Sequence, residues 1–292
     1  MIAEPDEARR LGDHEVIAPL ARGGMGGVYL ASAIATGERV AVKVLDPHFA
    51  SHDDIVDRLF AEHRISTCVH HPGLVEVRHA GRSADGVPYL VMEFLDGENL
   101  GALADRGQLE TGAIIAIGAQ IAAALAALHD SGIIHCDVKL DNVFVLYEPG
   151  LAGWPKVKVI DFGVSRFLDE PPIGDGAIAG TPVCMPPEQW RGAPTPKSDV
   201  YGLGCLLFEL VTGDTVFHGT LPQLMLAHAE QRPPRPSWLR SHVPPALERL
   251  ILRALAKDPA MRPTMADLAF ELAELAVRRA PIAIDEPLQA TA

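Results

Sequence analysis

From Glu15 to about Leu95 the apolar residues fall in short, β-branched runs broken by Gly, Asp and Pro. Residues 40–45, 74–78 and 89–94 are predicted strands. One stretch, about residues 55–69, has helical character instead. After Gly97 the period lengthens. Ile114, Ile117, Ile121, Leu125 and Leu128 recur at steps of three and four, which predicts a helix over residues 111–129 with one continuous apolar face. Further helices are predicted over 199–211, closed by Thr212-Gly213, and over 244–255 and 265–278. A β-rich beginning followed by a larger helical remainder defines an α+β chain of two unequal lobes.

Composition changes this picture little. The chain has 292 residues, enough for one large domain or two lobes sharing a cleft, and 48% of them are hydrophobic with few aromatics. The core is therefore expected to be aliphatic. The longest apolar stretch, residues 113–128, contains Gln120 and falls short of the roughly 20 residues a membrane-spanning helix needs. It is read as a buried core helix. Residues 1–10 contain no apolar signal-peptide core. Cys68, Cys136, Cys184 and Cys205 form no paired spacing, so neither a disulfide framework nor a zinc site is expected, and a reducing, cytoplasmic setting is. The net charge of −13 opposes nucleic-acid binding, which needs a basic surface.

Two stretches are rich in Pro and Gly. Residues 169–180 are predicted to be a mobile loop. Residues 232–245 contain Pro233-Pro234-Arg235-Pro236, which is read as a surface loop in preference to a ligand for an SH3-type partner. Residues 281–292 lack periodicity and are expected to be a disordered tail.

Three segments carry candidate chemistry. Leu20-Ala21-Arg22-Gly23-Gly24-Met25-Gly26-Gly27-Val28 lies between two predicted strands. Glycines there let the backbone close over phosphates and present N–H groups to them. Such a turn is weak evidence alone, but Val40-Ala41-Val42-Lys43 follows it. Lys43 can hold the α- and β-phosphates of a nucleotide, with Glu62 on the next helix as its anchoring carboxylate. The second segment is His135-Cys136-Asp137-Val138-Lys139-Leu140-Asp141-Asn142, and the third is Asp161-Phe162-Gly163 at the end of a β-run. Phosphoryl transfer needs an acceptor for the hydroxyl proton, metal ligands and a cation near the moving group. Asp137, then Asn142 with Asp161, then Lys139 can fill those roles. Any one of these residues alone would be read as a turn or surface residue.

Taken together, in this order and spacing, the segments resemble the eukaryotic-type serine/threonine protein kinase family, especially its bacterial branch. The resemblance covers about residues 15–275. It extends to Gly180-Thr181-Pro182, Pro186-Pro187-Glu188, the run from Ser198 to Gly204 and Asp258-Pro259-Ala260-Met261-Arg262-Pro263. It implies a two-lobed fold: an extension over 1–13, a small lobe over 14–95, a large lobe over 96–280 and a tail beyond. It implies ATP and Mg²⁺ in the cleft and proteins bearing Ser or Thr as substrates. Leu20, Gly23, Gly24, Met25, Gly26 and Val28 would form the loop over the nucleotide. Ala41 would cover the adenine and Phe144 would lie beneath it. Met92 would stand at the back of the pocket, and Glu93-Phe94-Leu95 would bond adenine through the backbone. Thr181 would help hold Asp137 and Lys139, and Arg262 would pair with Glu188. Lys139, two residues after Asp137, marks the Ser/Thr type.

The chain also departs from that pattern. Ala21 replaces the first loop glycine, Pro186 stands where Ala is usual, and Leu140 replaces a common Pro. The turn over 148–153 is long. Cys136 occupies the position of the arginine that receives an activation-loop phosphate in regulated kinases. Between Phe162 and Glu188 the hydroxyl residues are Ser165 and Thr181, and the loop centre carries Asp169, Glu170 and Asp175. Activity independent of loop phosphorylation is therefore expected, with Arg166 pairing one of these acids. A Cys136 thiol beside Asp137 is expected to have a raised pKa. A pseudokinase is disfavoured because Lys43, Glu62, Asp137, Asn142 and Asp161 are all present. A small-molecule phosphotransferase is disfavoured by Thr181, Glu188 and Arg262. A metal site built from His63, His70, His71 and His79 is the weakest alternative.

Overall fold

A computed structural model describes residues 10–149, 153–170 and 180–279. The small lobe is a six-stranded antiparallel sheet in the order β1-β2-β3-β4-β6-β5. Its strands are β1 (Arg10–Leu11), β2 (His14–Gly23), β3 (Gly26–Ala33), β4 (Arg39–Leu45), β5 (Val77–Arg82) and β6 (Pro88–Glu93). Helix α1 (Asp53–Cys68) packs on one face, burying Val56 and Leu59 against Leu45, Val77 and Leu90. Asp53 and Asp54 in its first turn complement the helix dipole. Leu11 is fully buried beneath the other face, so the sheet begins inside the stretch expected to be an extension.

The strand expected over 74–78 starts later. Leu74 instead makes an isolated parallel bridge to Val159, and the Val75 N–H bonds the Val159 carbonyl at 2.9 Å. The turn sequence His71-Pro72-Gly73 delays the strand by steering the chain against the large lobe first.

The large lobe is built on α3 (Thr111–Asp130) and α5 (Pro196–Thr212). The helix α3 has 20 residues, longer than its apolar run suggested, so by length and composition it could cross a membrane. Burial decides its place: Ile117, Ile121, Leu125 and Leu128 have no exposure at all. Gly118 lies against Leu207 of α5 and Leu272 of α9 (Met265–Val277). Helix α5 is delimited by local chemistry. Thr195 and Ser198 form a capping box, Pro196 opens the first turn, and Gly213 at φ 76° closes it. Smaller elements complete the lobe: β7 (Gly97–Asn99), α2 (Leu100–Arg106), β8 (Ile133–Ile134), β9 (Val143–Pro149), β10 (Pro155–Val159) and β11 (Arg166–Phe167), then α4 (Pro187–Trp190), α6 (Leu221–Glu230), α7 (Pro236–Leu239) and α8 (Pro245–Ala254).

Trp154, just before β10, is buried against Gly112; a Cβ on Gly112 would sit 2.4 Å from the indole ring. Residues 150–152 of the long turn expected over 148–153 lie outside the described residues. In the Pro-rich stretch, Pro236 is buried at the start of α7 and Arg235 forks onto Glu248 at 2.9 and 2.6 Å. That segment is part of the fold. Residues 171–179 and 280–292, expected to be a loop and a tail, lie outside the described residues.

Candidate active site

The sheet register builds the upper wall of the cleft. Val28 pairs with Lys43, and Ala41 pairs with Met92. Directly opposed residues share a face, as do residues two apart, so Val28, Ala41, Lys43 and Met92 project from one side of the sheet. The β2–β3 hairpin turns through Gly24 and Met25, between paired Gly23 and Gly26. Leu20 and Met25 are about half exposed there. Gly26 is required by the sheet itself: a Cβ would lie 2.0 Å from the Val44 carbonyl. Asp46 N–H also bonds the Met25 carbonyl at 2.8 Å, tying the hairpin tip to the end of β4.

Lys43 gathers two distant acids. Its ammonium lies 2.7 Å from Glu62 Oε1 and 3.2 Å from Asp161 Oδ1. Burial disfavours the Lys43 charge, but the Glu62 and Asp161 carboxylates outweigh it, so its pKa is raised. Burial likewise pushes Glu62 up, to about 7, against the pull of Lys43. Asp161 stays below its ordinary value: burial opposes ionisation, and Lys43 together with the Gly163 N–H at 3.0 Å overcomes it.

Below the cleft, Asp137 is held from every side. Its Oδ1 accepts the Thr181 hydroxyl at 2.6 Å, and its Oδ2 accepts Asn142 Nδ2 at 3.0 Å. Lys139 Nζ lies 2.8 Å from both Asp137 Oδ2 and Thr181 Oγ1. Thr181 thus links the acid and the lysine, 44 and 42 residues earlier in the chain. Phe144 lies on β9 two residues beyond Asn142, and Leu95 in the link from β6 to β7, where both are partly buried.

The backbone that presents Asp137 is shaped by Asp199 on α5. Its carboxylate accepts the N–H groups of His135 and Cys136 at 2.9 and 2.8 Å, and also contacts His129 Nε2 at 2.8 Å. Cys136 is the one non-glycine at positive φ among the described residues, at 66°. That conformation costs roughly 1–2 kcal/mol. Its two backbone bonds, the N–H to Asp199 and the carbonyl to Gln189 Nε2 at 2.6 Å, hold it there. Gln189 carries no signal in the sequence, since it is an unremarkable polar residue on a four-residue helix. Asn142 also donates to the Asp137 carbonyl at 2.8 Å, which leaves its amide oxygen for other work.

A divalent metal fits this donor set. The Asn142 amide oxygen and the Asp161 carboxylate are hard oxygen ligands. Among the described residues no cluster of three or more His, Cys, Asp or Glu could form a full protein cage. Mg²⁺ suits such a partial site, because it keeps waters and takes the rest of its shell from phosphates.

The Cys136 thiol is pushed up, as expected, but chiefly by burial and then by Asp199; Asp137 contributes less and Arg166 opposes. Cys184 and Cys205 are buried as well, and Cys68 is exposed. Iodoacetamide applied to the native protein at pH 7.5 is expected to modify Cys68 alone, as read by peptide mass mapping. Labelling of Cys136 at a comparable rate would contradict its buried, protonated state.

The side chain of Glu93, which the hinge reading does not use, has partners of its own. Its carboxylate faces away from the sheet row of Val28 and Lys43, bonding Lys158 of β10 at 2.5 Å and the Glu76 N–H at 2.8 Å.

Comparison with known proteins agrees with this geometry. The protein kinase domain family model matches residues 14–271. The serine/threonine-protein kinase Pkn1 of Myxococcus xanthus is 40% identical over 254 residues, covering 86% of this chain and 36% of Pkn1. PknA of Mycobacterium tuberculosis is 36% identical over 250 residues, covering 83% of this chain and 56% of PknA. The chain thus spans roughly a third to a half of these relatives' length. The crystal structure of the Mycobacterium tuberculosis PknI kinase domain superposes with a TM-score of 0.72 at 26% identity, covering 93% of this chain and 99% of that one. With the ion-paired Lys43, the Thr181-linked Asp137 and the Asp161 turn in the family's order, this chain belongs to the protein kinase domain family, in the bacterial branch of its eukaryotic-type serine/threonine kinases.

Proposed function

We propose that the chain transfers the γ-phosphoryl group of ATP to serine and threonine hydroxyls of proteins, and that it does so without activation-loop phosphorylation. The observation that carries the reading is the Asp137–Thr181–Lys139 triangle, with all three contacts between 2.6 and 2.8 Å. Asp137 would orient a substrate hydroxyl and accept its proton as the new O–P bond forms. Lys139 would stabilise the moving phosphoryl group as its bond to the β-phosphate oxygen breaks. Lys43, fixed by Glu62, would grip the α- and β-phosphates. Mg²⁺, when bound at Asn142 and Asp161, would offset phosphate charge. A reducing, cytoplasmic setting fits the four free thiols.

Independence from loop phosphorylation is supported by what replaces the usual arginine. Cys136 carries no charge, and an acid in the loop already has a cationic partner. Glu170 Oε1 lies 3.0 Å from Arg64 Nη2 on α1, and Arg64 also covers the Phe167 ring. Arg166, expected to pair with an acid side chain, donates to the Glu170 carbonyl at 2.6 Å. The exposed Arg64–Glu170 pair is worth little energy by itself, about 0–1 kcal/mol. Its value is positional, since Arg64 sits two residues from Glu62 on the same helix.

One experiment tests both statements. The protein is stripped with phosphatase, freed of it, and given labelled ATP, Mg²⁺ and a protein mixture. Initial rates are expected to match those of untreated enzyme, with phosphoserine and phosphothreonine as products. Predominant phosphotyrosine would overturn the acceptor assignment. A large rate loss, recovered with a phosphosite between Ser165 and Thr181, would overturn the independence.

A further inference from the structure

We propose that Lys158 is a positioning residue for adenine, acting through an ionic latch to Glu93. This rests on reading the chain just beyond β6 as the adenine-bonding hinge. Lys158 lies on β10, three residues before Asp161. Its ammonium donates to Glu93 Oε1 at 2.5 Å and to the Leu74 carbonyl at 3.0 Å. The same Glu93 oxygen accepts the Glu76 N–H at 2.8 Å, and the Glu93 N–H bonds the Glu76 carbonyl at 3.0 Å. One ammonium therefore joins three segments: the end of β6, the stretch before β5, and the strand that runs into Asp161.

The space behind the hinge explains why an ion pair is needed there. Two cavities, of about 320 and 460 Å³, share Pro72, Glu93 and Lys158 in their linings. Close apolar packing normally fixes a backbone in place. Here the Lys158–Glu93 contact borders two open spaces. Both side chains are largely buried, at 12% and 20% exposure, so the contact is shielded far more than a surface pair. The far end of β10 is secured independently: Lys158 is in register with Phe144 of β9, and the Ile160 N–H bonds the Asn142 carbonyl at 2.9 Å. The strand is thus a fixed post, and the latch holds the hinge to it.

A latch of this kind acts on the adenine end of the nucleotide and spares the phosphate end. Calorimetry on Lys158→Met, Lys158→Arg, Glu93→Gln and wild type, with adenosine, ATP and inorganic tripolyphosphate as probes, separates the two. In Lys158→Met, adenosine and ATP are expected to weaken by a common factor of about ten, the scale of one charge-assisted hydrogen bond. Tripolyphosphate should change less than twofold, and the kinetic loss should sit in KM for ATP more than in kcat. Lys158→Arg should recover most of the affinity, and Glu93→Gln should resemble Lys158→Met. Equal losses for all three probes, or unchanged adenosine binding in both disrupting variants, would overturn the latch. Wild-type protein that binds tripolyphosphate but not adenosine would overturn the hinge reading and the latch with it. Should Lys158→Met unfold, Glu93→Gln carries the same comparison, because it keeps the residue's shape.

Discussion

Replacing Asp137 by Asn is expected to cut turnover by roughly 10²–10⁴-fold, the range for loss of a positioned general base. The amide fills the same volume and can still accept the Thr181 hydroxyl bonded at 2.6 Å. It cannot take a proton from a substrate hydroxyl, and it gives up the charge facing Lys139. Thermal unfolding should move little. Asp161→Ala should be at least as damaging by a different route. It would remove one of the two proposed oxygen ligands and free Lys43 from a contact at 3.2 Å. The distinguishing measurement is nucleotide affinity with and without Mg²⁺. Asp137→Asn should keep the metal's effect on ATP binding, and Asp161→Ala should lose it. Near-wild-type turnover in either variant would contradict the assignment of that residue.

The largest expected effect on stability lies away from the cleft. The Arg262 side chain is fully buried and meets Glu188 in two bonds, at 2.6 and 3.1 Å. Its remaining donors go to the carbonyls of Ala256, Lys197 and Lys257, and its guanidinium lies 4.8 Å from the centre of the Tyr201 ring. Ser198 also donates to Glu188, at 2.8 Å. Arg262→Ala would leave the Glu188 carboxylate buried without its cation, a loss of about 3–5 kcal/mol in urea titrations. Arg262→Lys should rescue little, because a lysine lacks the planar fork that reaches five acceptors. Adding Glu188→Gln to Arg262→Ala should return part of the loss, and a purely additive result would show that the pair is uncoupled.

Much of this site was legible before any coordinates. The structure gathers the residues singled out in the sequence into two groups, Lys43 with Glu62 and Asp161, and Asp137 with Lys139, Asn142 and Thr181. The long helices were legible because apolar spacing repeats over several turns. Short elements were not. The strands Ile133–Ile134 and Arg166–Phe167 exist only because they pair with each other, which no local pattern encodes. Helix α6 did carry a local signal, the capping box of Thr220 and Gln223, but its exposed Leu221, Met225 and Leu226 blur the apolar period. Partner choice was the hardest feature to foresee. Glu170 chose Arg64 and Glu93 chose Lys158, because side-chain contacts between distant segments depend on where strands end. The missed strand at Arg10 has the same cause: two residues become a strand only beside an existing edge.

The Asp199 contacts have a consequence for how the enzyme comes into being on the ribosome. The carboxylate that holds Cys136 at positive φ lies 63 residues downstream of it, and Arg262 follows Glu188 by 74. A nascent chain exposes Asp137 long before it has Asp199, which holds the backbone just before it. Until α5 emerges, the His135 and Cys136 N–H groups lack their Asp199 acceptor, and nothing from α5 holds the left-handed backbone at Cys136. Translation therefore delivers the nucleotide-gripping lobe first and phosphoryl transfer last. A stalled chain ending before residue 199 should behave as a polypeptide without catalysis, however complete its upper lobe.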